Sequence, residues 1–133
     1  MEIQILQQQG RVPVTVFHIV GDIDTNSYQQ LQAQAEQAHA AGASNIVLDL
    51  SDVGYVSSAG IRAINHIYTL LRTNAPAESD EAVRQGIKAG TFRSPHLKLA
   101  HLNKRVSEAL TNAGVDMFLE FYPDLAAAVA SFS

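Results

Sequence analysis

The sequence predicts a single α/β domain over residues 1–133, built on a central mixed β-sheet with about four helices in the order ββαβαβαβα. Three observations point there. Two β-branched, apolar segments open the chain with Gly10 between them. From Ser27 onward, helical periodicity alternates with short apolar runs. One of those runs, Ile46-Val47-Leu48, has no polar interruption, as suits a strand covered on both faces. Strands alternating with helices imply parallel pairing and right-handed crossovers, so the first hairpin alone supplies an antiparallel pair.

Each element has a local reason. Residues 3–8 and 12–20 flank Gly10 and read as a hairpin-like strand pair, which Gly21 and Asp22 end. Residues 27–41 read as a helix. Ser27 and Gln30 stand at capping-box spacing, and Leu31, Ala35 and Ala38 form an apolar stripe. Gly42 closes that helix. Residues 45–50 form the buried strand, and 51–56 a polar loop. Ser57-Ser58 opens a second helix with Ile61, Ile64, Tyr68 and Leu71 on one face, widened by Ile67 and Leu70.

Residues 73–95 then break the pattern with Pro76, Gly86, Gly90 and Pro95, and only 82–87 suggest a helical turn. So long a connection is unusual in a compact domain. It reads as a mobile insertion between the second helix and the fourth strand. The pattern resumes with a strand at 97–102 and a short helix at 105–113, Val106 and Leu110 facing inward and Gly114 closing it. A strand at 117–121 and a final helix at 123–132 follow, with Pro123 near that helix's first turn.

Composition narrows the function. Hydrophobic residues make up 47 % and charged residues 17 %, a globular balance. The net charge of −4 with 9 Lys+Arg provides no basic face for nucleic acid. Cysteine is absent, which removes disulfides, thiolate zinc sites and cysteine nucleophiles. Met1-Glu2-Ile3-Gln4 has no basic region leading into an apolar stretch, and no apolar run reaches bilayer length. The expectation is a cytoplasmic protein without a membrane span.

The richest local signal runs from Asp49 to Arg62, leaving a buried strand and entering a helix. Backbone N–H groups at a helix start are unpaired, and the dipole is positive there. Ser57 is the natural N-cap and Ser58 the first helical residue, its hydroxyl near the surface. By spacing alone, a plain capping role is the first reading. Gly60 in the first turn costs up to about 1 kcal/mol against Ala, so close approach of another group is expected there. Asp22 and Asp24 read as turn formers by themselves. Placed at the same sheet end as Ser57-Ser58, they would complete a polar docking rim.

Other chemistry has little footing. Among His18, His39, His66, His96 and His101, no pair stands at zinc-ligand spacing on a helix, so no metal or other cofactor is expected. His18, in an apolar strand, reads as a satisfied core residue, and His39 and His66 lie on helix flanks. No glycine-rich phosphate loop or nucleophile elbow is present. No base or orienting acid is visible in sequence near Ser58, so catalytic residues are not assigned.

The stretch from Ile46 to Ile61, Ile-Val-Leu-Asp-Leu-Ser-Asp-Val-Gly-Tyr-Val-Ser-Ser-Ala-Gly-Ile, resembles the signature of STAS domains. These are the anti-sigma factor antagonists of bacteria and a related domain of sulfate transporters. Gly21-Asp22-Ile23-Asp24 resembles the family's turn after the second strand. Lys98-Leu99-Ala100 through Val106 and Gly114 resembles its next strand and helix. The likeness covers most of the chain outside residues 73–95.

Stand-alone antagonists of this family carry Asp-Ser-Ser/Thr-Gly before the helix, and the first hydroxyl residue of the pair is phosphorylated. Ser58 falls on that serine, Ser57 on the aspartate, Ala59 on the second hydroxyl residue and Gly60 on the glycine. The resemblance implies a partner-binding surface of Asp22, Asp24, Ser57, Ser58, Ala59, Gly60 and Arg62. It implies as partner an anti-sigma factor that is also a serine kinase of the histidine-kinase-like ATPase type, with a phosphatase to reverse the modification. Two alternatives stand beside it: a non-phosphorylated STAS scaffold or a signalling module that binds an anion or lipid at the same helix start, and a small hydrolase using Ser58.

Overall fold

Alternation of side chains sets the first strand pair of the computed structural model, which describes residues 1–72 and 94–132. Strand β1 (Glu2–Gln9) runs antiparallel to β2 (Pro13–Val20) in unbroken register, from Glu2 opposite Val20 to Gln9 opposite Pro13. Strands β3 (Ile46–Asp52), β4 (Leu97–Ala100) and β5 (Glu120–Tyr122) add in parallel, giving the order β1-β2-β3-β4-β5. The helices are α1 (Tyr28–Ala40), α2 (Ser58–Arg72), α3 (Lys104–Asn112) and α4 (Leu125–Ala130). The predicted mixed sheet and element order are therefore those of the molecule.

Period-two patterning divides the sheet into two faces. Phe17, Ile19, Ile46, Leu48, Leu50, Leu97 and Leu99 share one cluster with Leu31, Ile64, Ile67, Leu71, Val106 and Leu110 of α1, α2 and α3. Val14, Val16, Val47 and Ala100 form a smaller cluster on the other face with Ala128 and Phe132. Among the described residues, one face thus carries three helices and the other only the short C-terminal one. Lys98 lies on the second face, 4 % exposed, because its ammonium pairs with Glu120 at 3.2 Å and donates to the Ser131 carbonyl. That ammonium also sits 4.7 Å above the Phe132 ring.

Several local expectations shift by a few residues. Ser27 precedes α1, yet its side chain does not cap it. Its hydroxyl is already engaged with the Asp22 carbonyl and the Asp24 amide, and Gln30 reaches the Met1 carbonyl. The capping box is therefore absent. At the other end Gly42 (φ +105°) donates to the His39 carbonyl and Ala43 to that of Ala38, the paired bonds of a Schellman closure. Strand β3 runs on through Ser51 and Asp52, which read as loop. Strand β4 stops at Ala100, because His101 takes a left-handed φ of +58°.

Gly114 (φ +82°) leads straight into a 3-10 turn at Val115–Met117, so the strand expected at 117–121 is the shorter β5. Leu119 donates back to the Val115 carbonyl, and both side chains are buried. Asp124, not Pro123, opens α4, its carboxylate accepting from the Ala127 amide at 2.7 Å. The insertion expected at 73–95 lies, but for its last two residues, outside the described residues. Among the described residues no helix is long and apolar enough to cross a membrane.

Candidate functional site

Parallel strands deliver their C-terminal ends to one edge of the sheet, and the loops that leave there gather the site. Gly21 turns the chain after β2 with φ +105°, a conformation only glycine enters cheaply, and its amide donates to the Asp52 carbonyl. The next residues run beside the β3–α2 loop. Ile23 bridges Val56, Ile23 donates to the Tyr55 carbonyl, and Ser57 donates to the Ile23 carbonyl. The two segments are thus laced by backbone bonds before any side chain contributes.

Asp24 shapes its own turn. Its carboxylate accepts from the Asn26 amide at 2.9 Å, and its carbonyl accepts from Ser27 and Tyr28. The buried Ser27 hydroxyl donates to the Asp22 carbonyl at 2.7 Å and accepts from the Asp24 amide. Asp22 itself is exposed, and a side chain at Gly54 would meet its carboxylate at 3.4 Å. Asp22 and Asp24 therefore border the loop that leads to Ser57 and Ser58.

The helix start has the expected form. Ser57 caps α2, its hydroxyl accepting from the Gly60 amide at 3.3 Å and its carbonyl from Ile61. The amides of Ser58 and Ala59 are left without a protein acceptor among the described residues, as first-turn geometry dictates. Ser58 is exposed, and among the described residues its hydroxyl makes no hydrogen bond. Arg62 is exposed one turn further along α2. Gly60 is explained by its neighbours. A Cβ there would collide with the Ile23 carbonyl oxygen and lie 2.8 Å from Val56 Cγ1. The close approach anticipated at this glycine is made by the protein's own backbone.

Three features of this end were not read from the sequence. Asn103 caps α3 by accepting from the Val106 amide at 2.8 Å, and donates to the Val53 carbonyl at 2.9 Å. That bond fastens the β4–α3 loop to the β3–α2 loop. Arg105 stacks its guanidinium 4.8 Å above the centroid of the exposed Tyr55 ring. His18 is held between Asp49 (Nδ1 to Oδ2, 3.0 Å) and Asp52 (Nε2 to Oδ2, 2.9 Å).

His18 is therefore not a core residue but a half-buried bridge on the face of the sheet that carries Val14, Val16 and Val47. The hydrogen bond to Asp49 raises its pKa against partial burial, and Asp52 adds in the same sense. Burial pushes the Asp49 carboxyl up, and the bonds from His18 and Ser51 more than offset it, holding it below the ordinary carboxylate value. A clue lay in the chain: an acid inside an apolar strand needs a partner, and His18 stands opposite Asp49 in the register. His66 and Glu36 meet at 2.9 Å and tie α2 to α1. Among the described residues no cluster of His and acidic side chains is arranged to hold a metal ion.

The sequence pattern of the STAS domain family matches residues 4–75, just over half of the chain. No curated protein sequence matches it. Among solved structures, an anti-sigma factor antagonist from Mycobacterium paratuberculosis is similar at a TM-score of 0.67 and 18 % identity, over 98 % of this chain and 93 % of that one. The Bacillus cell fate determinant SpoIIAA in its phosphorylated form is similar at 0.62 and 14 %, over 96 % of each chain. A sulfate transporter family protein from Wolinella succinogenes is similar at 0.57 and 17 %, over 88 % and 82 %. At these identities the likeness is one of fold.

Proposed function

The chain belongs to the STAS domain family, and from that premise we propose that it is an anti-sigma factor antagonist, a protein-docking module switched by phosphorylation of Ser58. Unmodified, it docks an anti-sigma factor that is also a serine kinase of the histidine-kinase-like ATPase type, and so frees a sigma factor. Phosphorylation by that partner ends docking, and a phosphatase restores it. The surface used is the rim of Asp22, Asp24, Ser57, Ser58, Ala59, Gly60 and Arg62. The proposed role is binding, not catalysis.

One observation carries the reading: Ser58 presents an exposed hydroxyl at the first residue of α2, which among the described residues is unengaged and stands beside two amides without an acceptor. A kinase reaches such a hydroxyl without unfolding anything. The phosphate adds roughly −1.5 to −2 charges. The positive end of the α2 dipole tolerates that anion, so the fold survives. On a rim that already holds Asp22 and Asp24, the added charge repels a desolvated interface fitted to the neutral serine. The similarity to a relative solved in phosphorylated form supports the same reading. The hydrolase alternative gains nothing, since among the described residues no histidine or carboxylate is hydrogen-bonded to the Ser58 hydroxyl.

The test is intact mass after incubation with ATP and each purified histidine-kinase-like ATPase from the same source. Gain of one phosphate, lost in Ser58→Ala, is the expected result. A Ser58→Asp variant that binds the same ATPase as tightly as the wild type would sink the proposal.

A further inference from the structure

Strand β1 ends the sheet, and half of its backbone N–H and C=O groups point away from β2. Among the described residues no strand pairs with that outer edge. Exposed edges invite pairing with another chain, and proteins blunt them with short strands, Pro, Lys, bulges or inward charges. None of these protects β1. It is eight residues long, its register with β2 has no bulge, and its sequence Glu-Ile-Gln-Ile-Leu-Gln-Gln-Gln has neither Pro nor Lys. All of its residues except Ile3 are exposed, including Ile5 and Leu6 at 41 % and 45 %. The opposite edge, β5, is only three residues long and half-buried.

We propose that the outer edge of β1 pairs antiparallel with β1 of a second copy of this chain, about a two-fold axis through Leu6. An axis perpendicular to the sheet keeps the helix-covered faces on one side, and it sets residues of equal alternation phase opposite each other. Leu6 then faces Leu6 of the second copy, Gln4 faces Gln8, and Glu2 faces Gly10, next to Arg11. Charge selects this arrangement. Glu2 is the one acid of the hairpin and Arg11 its one lysine or arginine, and they stand at opposite ends of β1. Neither has an ion-pair partner among the described residues. Antiparallel pairing brings them together twice, whereas parallel pairing would set Glu2 against Glu2. The result is one sheet continuous through both copies.

A single added strand buries little area, so the dimer is a weak one. Sedimentation velocity over a concentration series tests it on the wild type, Leu6→Lys, Glu2→Arg, Arg11→Glu and the double charge reversal. The wild type forms dimers as concentration rises. Leu6→Lys abolishes them, since two like charges meet on the axis. Each single reversal weakens association roughly tenfold, and the double variant recovers most of the loss. A wild type that stays monomeric throughout overturns the proposal. So does a dimer indifferent to the two single reversals, which lie at the exposed ends of the hairpin and leave the core intact.

Discussion

Replacing His18 with Ala removes the donor that both Asp49 and Asp52 share, and the structure sets the size of the effect. The Asp49 side chain is 9 % exposed and keeps only its contacts with Ser51, whose amide donates at 3.1 Å. A hydrogen bond to a charged group is worth about 1.5–3 kcal/mol, and a buried carboxylate left unpaired lies at the upper end. Asp52 is 57 % exposed, so its half of the bridge adds at most about 0.5 kcal/mol after screening by solvent. The expected loss is about 2–3 kcal/mol.

Its pH dependence follows from the two shifts. His18 has a raised pKa in the folded state, so its contribution is complete below its ordinary value of about 6.5 and fades as pH climbs through the raised one. Asp49 has a lowered pKa, so its contribution is complete above the ordinary carboxylate range and fades as pH falls through the lowered value. The bridge is therefore strongest between about pH 4 and 6.5. Above that window the difference between wild type and variant shrinks towards a neutral hydrogen bond, about 1 kcal/mol. Urea unfolding of both proteins at several pH values measures the difference, and NMR titration of the His18 ring locates its pKa. A difference that does not change with pH, or a ring titrating at or below its ordinary value, would refute the argument.

Three further outcomes are expected. Gly60→Ala drives a methyl into the Ile23 carbonyl and the Val56 side chain, costing about 2–3 kcal/mol in urea unfolding, because that carbonyl is held in place by the Ser57 amide. Asn103→Ala removes the α3 cap and the tie to Val53, which costs about 1–2 kcal/mol and speeds hydrogen exchange at the Val106 amide. Lys98→Met stays within about 1 kcal/mol of wild type, since Glu120 rehydrates and an unbranched apolar side chain of similar length fills the space beside Phe132. Lys98→Ala loses about 2 kcal/mol, and thermal unfolding separates the two.

The alternation of apolar strands and amphipathic helices was legible because it is local. Ile46-Val47-Leu48 announces a two-sided strand, and Ile61, Ile64, Tyr68 and Leu71 announce one helical face, whatever lies elsewhere in the chain. The Ser57 cap was legible for the same reason, and Gly60 in a helical first turn signalled a close approach without saying of which group. Boundaries were less so. Ser27 and Gln30 stand at capping-box spacing, but the Asp22 carbonyl and Asp24 amide claim the serine first. Likewise the apolar Met117 and Phe118 suggest a strand, yet Gly114 and buried Val115 wind the chain into a turn before β5 begins.

What the sequence by itself determined is the order of elements, the neighbourhood of Ser58 and the absence of cysteine chemistry. These follow from spacing along the chain and from residue identity. What only the tertiary structure decided is which distant groups meet. Asn103 reaches Val53, Arg105 covers Tyr55, and Ile23 supplies the oxygen that forbids a side chain at Gly60. His18 and Asp49 are 31 residues apart, and their contact exists because parallel register sets β2 against β3 at that level. Register is chosen by packing a whole hydrophobic face at once, so a polar pair that rides on it is invisible until the sheet is assembled.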